Sequence, residues 1–385
     1  MLAEKHVFTY TIRMVIGIDA TRANKPQKTG VEWYSYHLIR ELVKLPSPHT
    51  FRLYFRNTPE EGLAHLGANV EYRILRWPFR YLWTQARLSI EMLFSPPDML
   101  FVPAAVVPPL HPARTVTTIH DVAYLPYPQS YSWFSRWYLH YAARKASRLP
   151  MILTISRFSK DEIVKYYGVP QTNIAVTHLG FAHTTVQPAS MVTTKFNIEE
   201  PYLLYIGRLE RKKNVAVLVK AFDLIKREPW GNQFELVLAG IKGHGWEEIE
   251  QTIAASKYRD DIKIIGWVTE EEKHTLFARA TAFILLSAYE GFSIPLLEAM
   301  AARTPAITSD QAALPEVGGT AVMRTPRGDT AAVRDALHTI IFDHALRQSL
   351  IDEGSRRVKS FTWRHTAEQT LAALNALEQR PVPTK

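Results

Sequence analysis

The chain has 385 residues, 46% hydrophobic and 22% charged, an ordinary globular composition with room for two domains. It has no cysteine, which excludes disulfides and thiolate metal sites and points to the cytoplasm, and no apolar run reaches the ~18 residues of a membrane-spanning helix. The net charge of +9 is uneven: residues 1–195 hold 22 Lys and Arg against 12 Asp and Glu, whereas the remainder holds 24 against 25. A basic half suits an anionic partner (a phospholipid surface, a lipid-linked diphosphate, nucleic acid), or it is a generic solubility charge.

Residues 1–13 show no period and read as a loose leader, or as the product of a start codon upstream of the true one. Met14–Asp19 is the first predicted strand. The polar loop Lys25–Gly30 follows, then a helical stripe of Val31, Tyr34, Leu38, Ile39 and Leu42. Gly30 lies before a helix start, where phosphates or an acceptor can approach the backbone, although one loop glycine usually just makes a turn. Further strands are predicted at Phe51–Phe55, Val70–Leu75, Met99–Val102, Thr115–Ile119 and Met151–Ile155, alternating with helices.

Two segments interleave aromatics with arginine: Trp77–Phe94 and Tyr131–Arg148. They read first as helices with an aromatic core face and an Arg outer face. A membrane-interface face or a nucleic-acid platform is the alternative. Between them, His120-Asp121 stands at the C-terminal edge of its strand, positioned to hydrogen-bond a ligand. Ser159 with Glu162 fits a capping box, and Asn173–Gly180 carries the last strand of this half.

Residues 182–200 carry no period and read as a linker. A new strand, Tyr202–Ile206, then runs into Gly207-Arg208-Leu209 and the basic turn Arg211-Lys212-Lys213. Four cations in six residues at a strand-to-helix turn make an anion site or a solvated loop; Arg208 can fork onto phosphate oxygens and Lys213 adds a point charge. Strands follow at Glu235–Gly240 and Lys263–Val268, the latter ending in Gly266-Trp267-Val268. The apolar run Ala282–Leu286 leads into Glu290-Gly291-Phe292-Ser293-Ile294-Pro295, then a helix carrying Leu296, Leu297, Glu298, Met300 and Ala301. A carboxylate at each end of a strand–turn–helix suits hydroxyl-rich ligands, Glu290 on the turn and Glu298 one helical turn inward. Residues 329–360 read as two helices, and Phe361–Leu377 as a last one; the tail from Arg380 reads as disordered.

The string Glu290, Gly291, Phe292, Pro295, Glu298 resembles the signature of the family 4 retaining glycosyltransferases of the GT-B architecture, with Ser293 where many members have a second glycine. That small substitution should preserve the loop. The likeness extends to Arg208 and Lys213 as a diphosphate clamp, to His120-Asp121, and to Leu314-Pro315-Glu316, a landmark read as structural. It implies an α/β fold of two Rossmann-like domains facing across a cleft, with a terminal helix crossing back. It assigns residues 1–190 to acceptor binding, 191–360 to the nucleotide sugar, and 361–385 to the crossover helix and tail.

Four residues would act at the reaction centre: His120, Glu290, Arg208 and Lys213. Donor contacts would come from Gly30, Asp121, Gly207, Val268, Gly291, Phe292, Ser293, Ile294 and Glu298. Arg211 and Lys212 are expected to face solvent. The resemblance implies a nucleotide-sugar donor, GDP-mannose-like, and a saccharide or lipid-linked acceptor in cell-surface polysaccharide or glycolipid synthesis. No metal or other cofactor is expected, because no Asp-x-Asp triplet is present. An anionic membrane surface is an expected partner, giving a cytoplasmic protein peripheral on the inner face of the membrane; nucleic acid is not. Competing readings are a sugar-nucleotide epimerase or phosphorylase of the same fold, or a non-catalytic basic nucleic-acid or membrane-surface binding module.

Overall fold

The computed structural model describes residues 13–380 apart from 29, 80 and 182–188. The leader reading thus falls, except for Arg13, outside the described residues, as do Thr29, Arg80, the first part of the linker and the tail beyond Arg380.

Near-continuous apolar strands need cover on both faces, and the alternating helices supply it. In the first half, β1 (Val15–Asp19), β2 (Thr50–Phe55), β3 (Val70–Ile74), β4 (Met99–Val102), β5 (Thr115–Thr118), β6 (Met151–Thr154) and β7 (Ile174–Val176) form one parallel sheet in the order β3-β2-β1-β4-β5-β6-β7. The helices α1 (Gly30–Leu42), α2 (Ser89–Phe94), α3 (Trp133–Ala146) and α4 (Arg157–Tyr167) connect its strands, and α5 (Ala189–Phe196) follows it.

The second half places β8 (Tyr202–Ile206), β9 (Glu235–Ala239), β10 (Ile262–Gly266), β11 (Ala282–Leu285), β12 (Ala306–Ser309) and β13 (Val322–Thr325) in a parallel sheet ordered β10-β9-β8-β11-β12-β13. Its helices are α6 (Val215–Arg227), α7 (Trp246–Ala255), α8 (Glu270–Arg279), α9 (Ile294–Ala301), α10 (Leu314–Gly318), α11 (Thr330–Phe342), α12 (His344–Arg357) and α13 (Trp363–Glu378). Both sheets reverse strand order beside their first strand, between β1 and β4 and between β8 and β11. The crevice outside the strand C-termini at such a reversal is where open α/β sheets receive ligands.

The terminal helix α13 does cross back onto the first half. Thr366 Oγ1 donates to the His178 carbonyl at 2.7 Å, His178 N–H donates to Gln369 Oε1 at 3.0 Å, and Asn375 Oδ1 meets His49 Nε2 at 3.2 Å. His37 on α1 lies stacked between Trp33 and Trp363, and burial there pushes its imidazole down to about 4.

Several local expectations need correction. Helix α4 is capped by Ser156, whose hydroxyl accepts from Ser159 N–H, so Ser159 lies inside the helix rather than at its cap. The linker carries α5, and the strand β13 has no counterpart in the sequence reading, because four residues with one half-buried and one exposed give little pattern. Arg380 is anchored: its guanidinium donates to Pro150 O, Asn173 Oδ1 and Thr172 O at 2.9–3.1 Å.

The largest correction concerns the aromatic segments. In α3 the small residues Ala142, Ala143 and Ala146 are buried, Ala143 and Ala146 in a cluster with Ile119, Ile152 and Ile163, while Trp133, Phe134, Trp137 and Tyr141 are exposed. Among the described residues of Trp77–Phe94 the buried hydrophobic side chains are Trp83, Leu88 and Met92, while Phe79, Tyr81, Leu93 and Phe94 are exposed.

Candidate active site

The turn after β8 and the turn after β11 meet at the strand-order reversal of the second sheet. Gly207 takes φ +155, which lets the chain leave β8 sharply; the Tyr205 hydroxyl donates to the Arg208 carbonyl at 2.8 Å and fixes the turn. Arg208 is left exposed, and the basic run follows as one turn of tight helix. Asn214, at φ +54, closes that run, its amide donating to the Leu286 carbonyl at 2.7 Å. Lys213 Nζ thereby reaches Glu290 Oε1 at 2.5 Å, and Ser287 Oγ donates to the same oxygen at 2.8 Å. Arg208, Lys212, Lys213, Glu210, Glu290 and Pro295 line one cavity of about 310 Å³.

Lys212 corrects the expectation that it faces solvent. Its side chain is only 13% exposed, and its ammonium lies 5.1 Å from the Tyr131 ring centre, across the cleft on the other half. Arg211 does point outward, paired with Glu248 at 2.7 Å.

Glu298 lies on the inner side of α9, with its side chain 6% exposed, and Lys273 of α8 meets its Oε1 at 2.7 Å. Its Oε2 is buried with no hydrogen-bond partner. Burial raises the Glu298 pKa and Lys273 opposes the shift; burial would likewise lower Lys273, but Glu298 and Glu270 outweigh it and hold the ammonium charged. Both residues line a cavity of about 530 Å³ between the halves, together with Gly30, Ile294, Pro295 and Trp363. A Cβ on Gly30 would meet nothing within 4 Å, so the space it leaves opens into that cavity rather than accommodating a neighbour. Val268 packs half-buried against the core and is not part of this wall; Glu270 and Glu271 supply it.

Gly291 is fixed by a close approach. A Cβ there would stand 2.9 Å from Asp121 Cβ and 3.3 Å from the His120 carbonyl, so the loop of the second half touches the His-Asp pair of the first. Ser159 Oγ donates to the Gly291 carbonyl at 3.3 Å, and Phe292 is buried beside His178 and Phe361. Ser293 occupies φ +119, ψ 88, a backbone region that glycine enters freely and serine does not, and its buried hydroxyl has no partner. Ser293 thus holds the turn into α9 under backbone strain.

His120 faces a cavity of about 320 Å³ with Arg22, Glu32, Asp121, Tyr131 and Tyr138. Burial lowers its pKa, with the Pro103 carbonyl and Asp121 opposing, so the ring is neutral at neutral pH and offers one donor and one acceptor nitrogen. Asp121 Oδ1 accepts from Ala123 N–H at 3.0 Å.

One carboxylate fastens the two halves beside this site. Glu316 on α10 accepts from the backbone N–H groups of Arg157 and Phe158, at the start of α4, and from His178 Nε2 at 2.8 Å. Burial would raise its pKa, but those three donors outweigh it and hold the carboxyl below its ordinary value.

The structure therefore gathers Arg208, Lys213, Glu290 and Gly207 in one cavity, Gly30, Ile294 and Glu298 in a second, and His120 and Asp121 in a third. Phe292 and Ser293 shape the loop between them, and Val268 stays apart. Sequence reasoning missed Lys273, Lys212, Tyr131 and Ser287. Lys212 was visible in the basic run; Lys273 sits in an acidic helix start with no signal of its own. Among the described residues, no three His, Asp or Glu side chains are placed to hold a metal ion together.

With this geometry established, comparison with known proteins is specific. Residues 28–184 match the Glycosyltransferase Family 4 profile and residues 187–357 match the Glycosyl transferases group 1 profile. The O-antigen chain mannosyltransferase B of Escherichia coli is 30% identical over 381 residues, covering 94% of this chain and 99% of that protein. The solved sucrose-phosphate synthase of Thermosynechococcus elongatus superposes with a TM-score of 0.70 at 18% identity, covering 95% of this chain and 99% of that one. Anabaena Alr3699/HepE, solved in complex with UDP-glucose, gives 0.68 at 15% identity over 94% of this chain and 100% of that one.

Proposed function

The chain belongs to the family 4 glycosyltransferases, and we propose that within this family it moves a mannosyl unit from a GDP-linked donor to a saccharide or lipid-linked acceptor, with retention at the anomeric carbon and without a metal ion. The observation that carries the reading is the Lys213–Glu290 pair beside Arg208, touching His120-Asp121 across the cleft through Gly291. The near full-length likeness to a mannosyltransferase supports the sugar.

In this reading Arg208 and Lys213 hold the donor diphosphate, and Lys212 adds charge from the same turn. The buried Glu298, with one oxygen unpartnered, accepts hydrogen bonds from the ribose hydroxyls. Glu290 turns to the sugar hydroxyls as Lys213 turns to phosphate. The bond from the anomeric carbon to the phosphate oxygen breaks through an oxocarbenium-like transition state, and the bond to the acceptor oxygen forms on the same face. The acceptor proton passes to the leaving phosphate oxygen. Neutral His120 hydrogen-bonds the transferred sugar and does not act as nucleophile. The cations take on the charge neutralisation that a metal supplies elsewhere. The acceptor enters from the first half, and the basic balance of residues 1–195 suits one held at the inner, cytoplasmic face of a membrane.

Melting the protein with GDP, UDP, ADP and dTDP in excess chelator tests the donor site. A ligand at 100 times its dissociation constant adds about 2.7 kcal/mol, so the preferred base stands out. A preference for UDP overturns the guanine assignment. Loss of transfer in chelator, restored by Mg²⁺ or Mn²⁺, overturns metal independence, and an inverted product anomer overturns retention.

A further inference from the structure

The outward face of α3 is apolar and cationic at once. Trp133 is 78% exposed, Phe134 and Trp137 58% each, and Tyr141 49%. At 100° per residue these four fall in one sector opposite the buried Ala142, Ala143 and Ala146, and the exposed Arg144, Lys145 and Arg148 continue the same sector toward the helix end. No acidic residue occurs between Asp121 and Asp161. Beside this helix, Gln85 donates to the Tyr138 hydroxyl at 2.9 Å, tying in the segment that exposes Tyr81, Leu93 and Phe94. A folded monomer gains nothing from holding four aromatic rings in water, so the face is built to be covered.

We propose that this face of α3 docks onto an anionic lipid bilayer. The charge decides the occupant. Tryptophan and tyrosine settle at the boundary between headgroups and acyl chains, and Lys and Arg extend their stems over apolar surface while their heads meet lipid phosphates. A second copy of the chain seated on the same face would instead set Arg144, Lys145 and Arg148 against their own counterparts.

The groove beside the helix gives docking a consequence. It is lined by Val106, Pro109, Tyr141, Lys145 and Arg148, and it shares Val106 and Tyr138 with the cavity that holds His120 and Asp121. A lipid-borne acceptor therefore reaches the reaction centre from the docked side; this last clause rests on the transfer reading, whereas docking itself does not.

Sedimentation of the full chain with vesicles of phosphatidylcholine alone, or of phosphatidylcholine with phosphatidylglycerol, at about 20 mM and about 500 mM salt is the test. The expected result is retention by the anionic vesicles only, weakened by salt, and lost at least tenfold in Trp133→Ser/Trp137→Ser and in Arg144→Glu. Both variants should keep the wild-type melting midpoint and transfer to a water-soluble acceptor at the wild-type rate. No retention of the wild-type chain overturns the proposal, as does retention that neither variant weakens. Self-association that the Trp variant abolishes, without vesicle binding, overturns it in favour of a second copy. Vesicle binding without transfer to any acceptor leaves docking standing and defeats the transfer reading.

Discussion

Replacing Glu316 with alanine removes the one carboxylate that fastens α4 and His178 of the first half to α10 of the second. Three donors lose their acceptor: Arg157 N–H at 2.9 Å, Phe158 N–H at 3.2 Å and His178 Nε2 at 2.8 Å. A hydrogen bond to a charged acceptor contributes about 1.5–3 kcal/mol, and a carboxylate at a helix start adds about 0.3–1 kcal/mol. The side chain is 18% exposed, so water recovers part of the loss, and about 2–3 kcal/mol is the expected net cost. At about 2.1 cal/mol/K of unfolding entropy per residue, that lowers the melting midpoint by about 3 °C.

The pH dependence gives this prediction its direction. The Glu316 pKa is depressed in the folded chain, so its contribution is complete above the ordinary carboxyl value of 4.5 and disappears as pH falls through the folded value. Arg157, His178 and Arg357 are the charged or titratable neighbours at this contact. Paired melts of wild type and Glu316→Ala should therefore separate fully at pH 7 and converge in acid. Equal midpoints at pH 7, or a gap that persists below the carboxyl range, would refute the reasoning.

Arg208→Ala should fold normally and lose roughly 10²–10³-fold in kcat, measured with a saturating donor; wild-type turnover would remove Arg208 from the diphosphate site. Lys273→Met should destabilise the chain by about 3–5 kcal/mol in urea, because it strands the buried Glu298 charge, and the loss should shrink as acid neutralises that carboxyl. Ser293→Gly should stabilise by about 1 kcal/mol by relieving the positive φ; an unchanged unfolding midpoint would mean the loop carries no strain. Gly291→Ala should impair both stability and transfer, since its methyl would meet Asp121 at 2.9 Å; a fully active variant would show that the cleft opens freely there.

Where a property depends on local pattern, the sequence revealed it. Apolar runs such as Tyr202–Ile206 and Ala282–Leu286 located most of the strands, and the two carboxylates around Gly291 and Pro295 marked the candidate site. What stayed hidden depends on neighbours far along the chain. Lys273 matters only because α8 lies against α9, and Glu316 only because α10 meets α4. The aromatic face of α3 was misjudged for a related reason. An amphipathic helix with alanines on one side and tryptophans on the other has two candidate inner faces, and the structure turns the alanine side inward, a choice that depends on neighbours such as Ile119 and Ile163.

The short contact between Lys213 and Glu290 has a consequence for turnover. Without a ligand the two groups satisfy each other. On the proposed assignment of Lys213 to the diphosphate and Glu290 to the sugar, a donor offers each of them a new partner, whereas the nucleoside diphosphate left after transfer offers one only to Lys213. Glu290 would then compete with the product, more than with the donor, for the same cation, and the pair would act as a return spring.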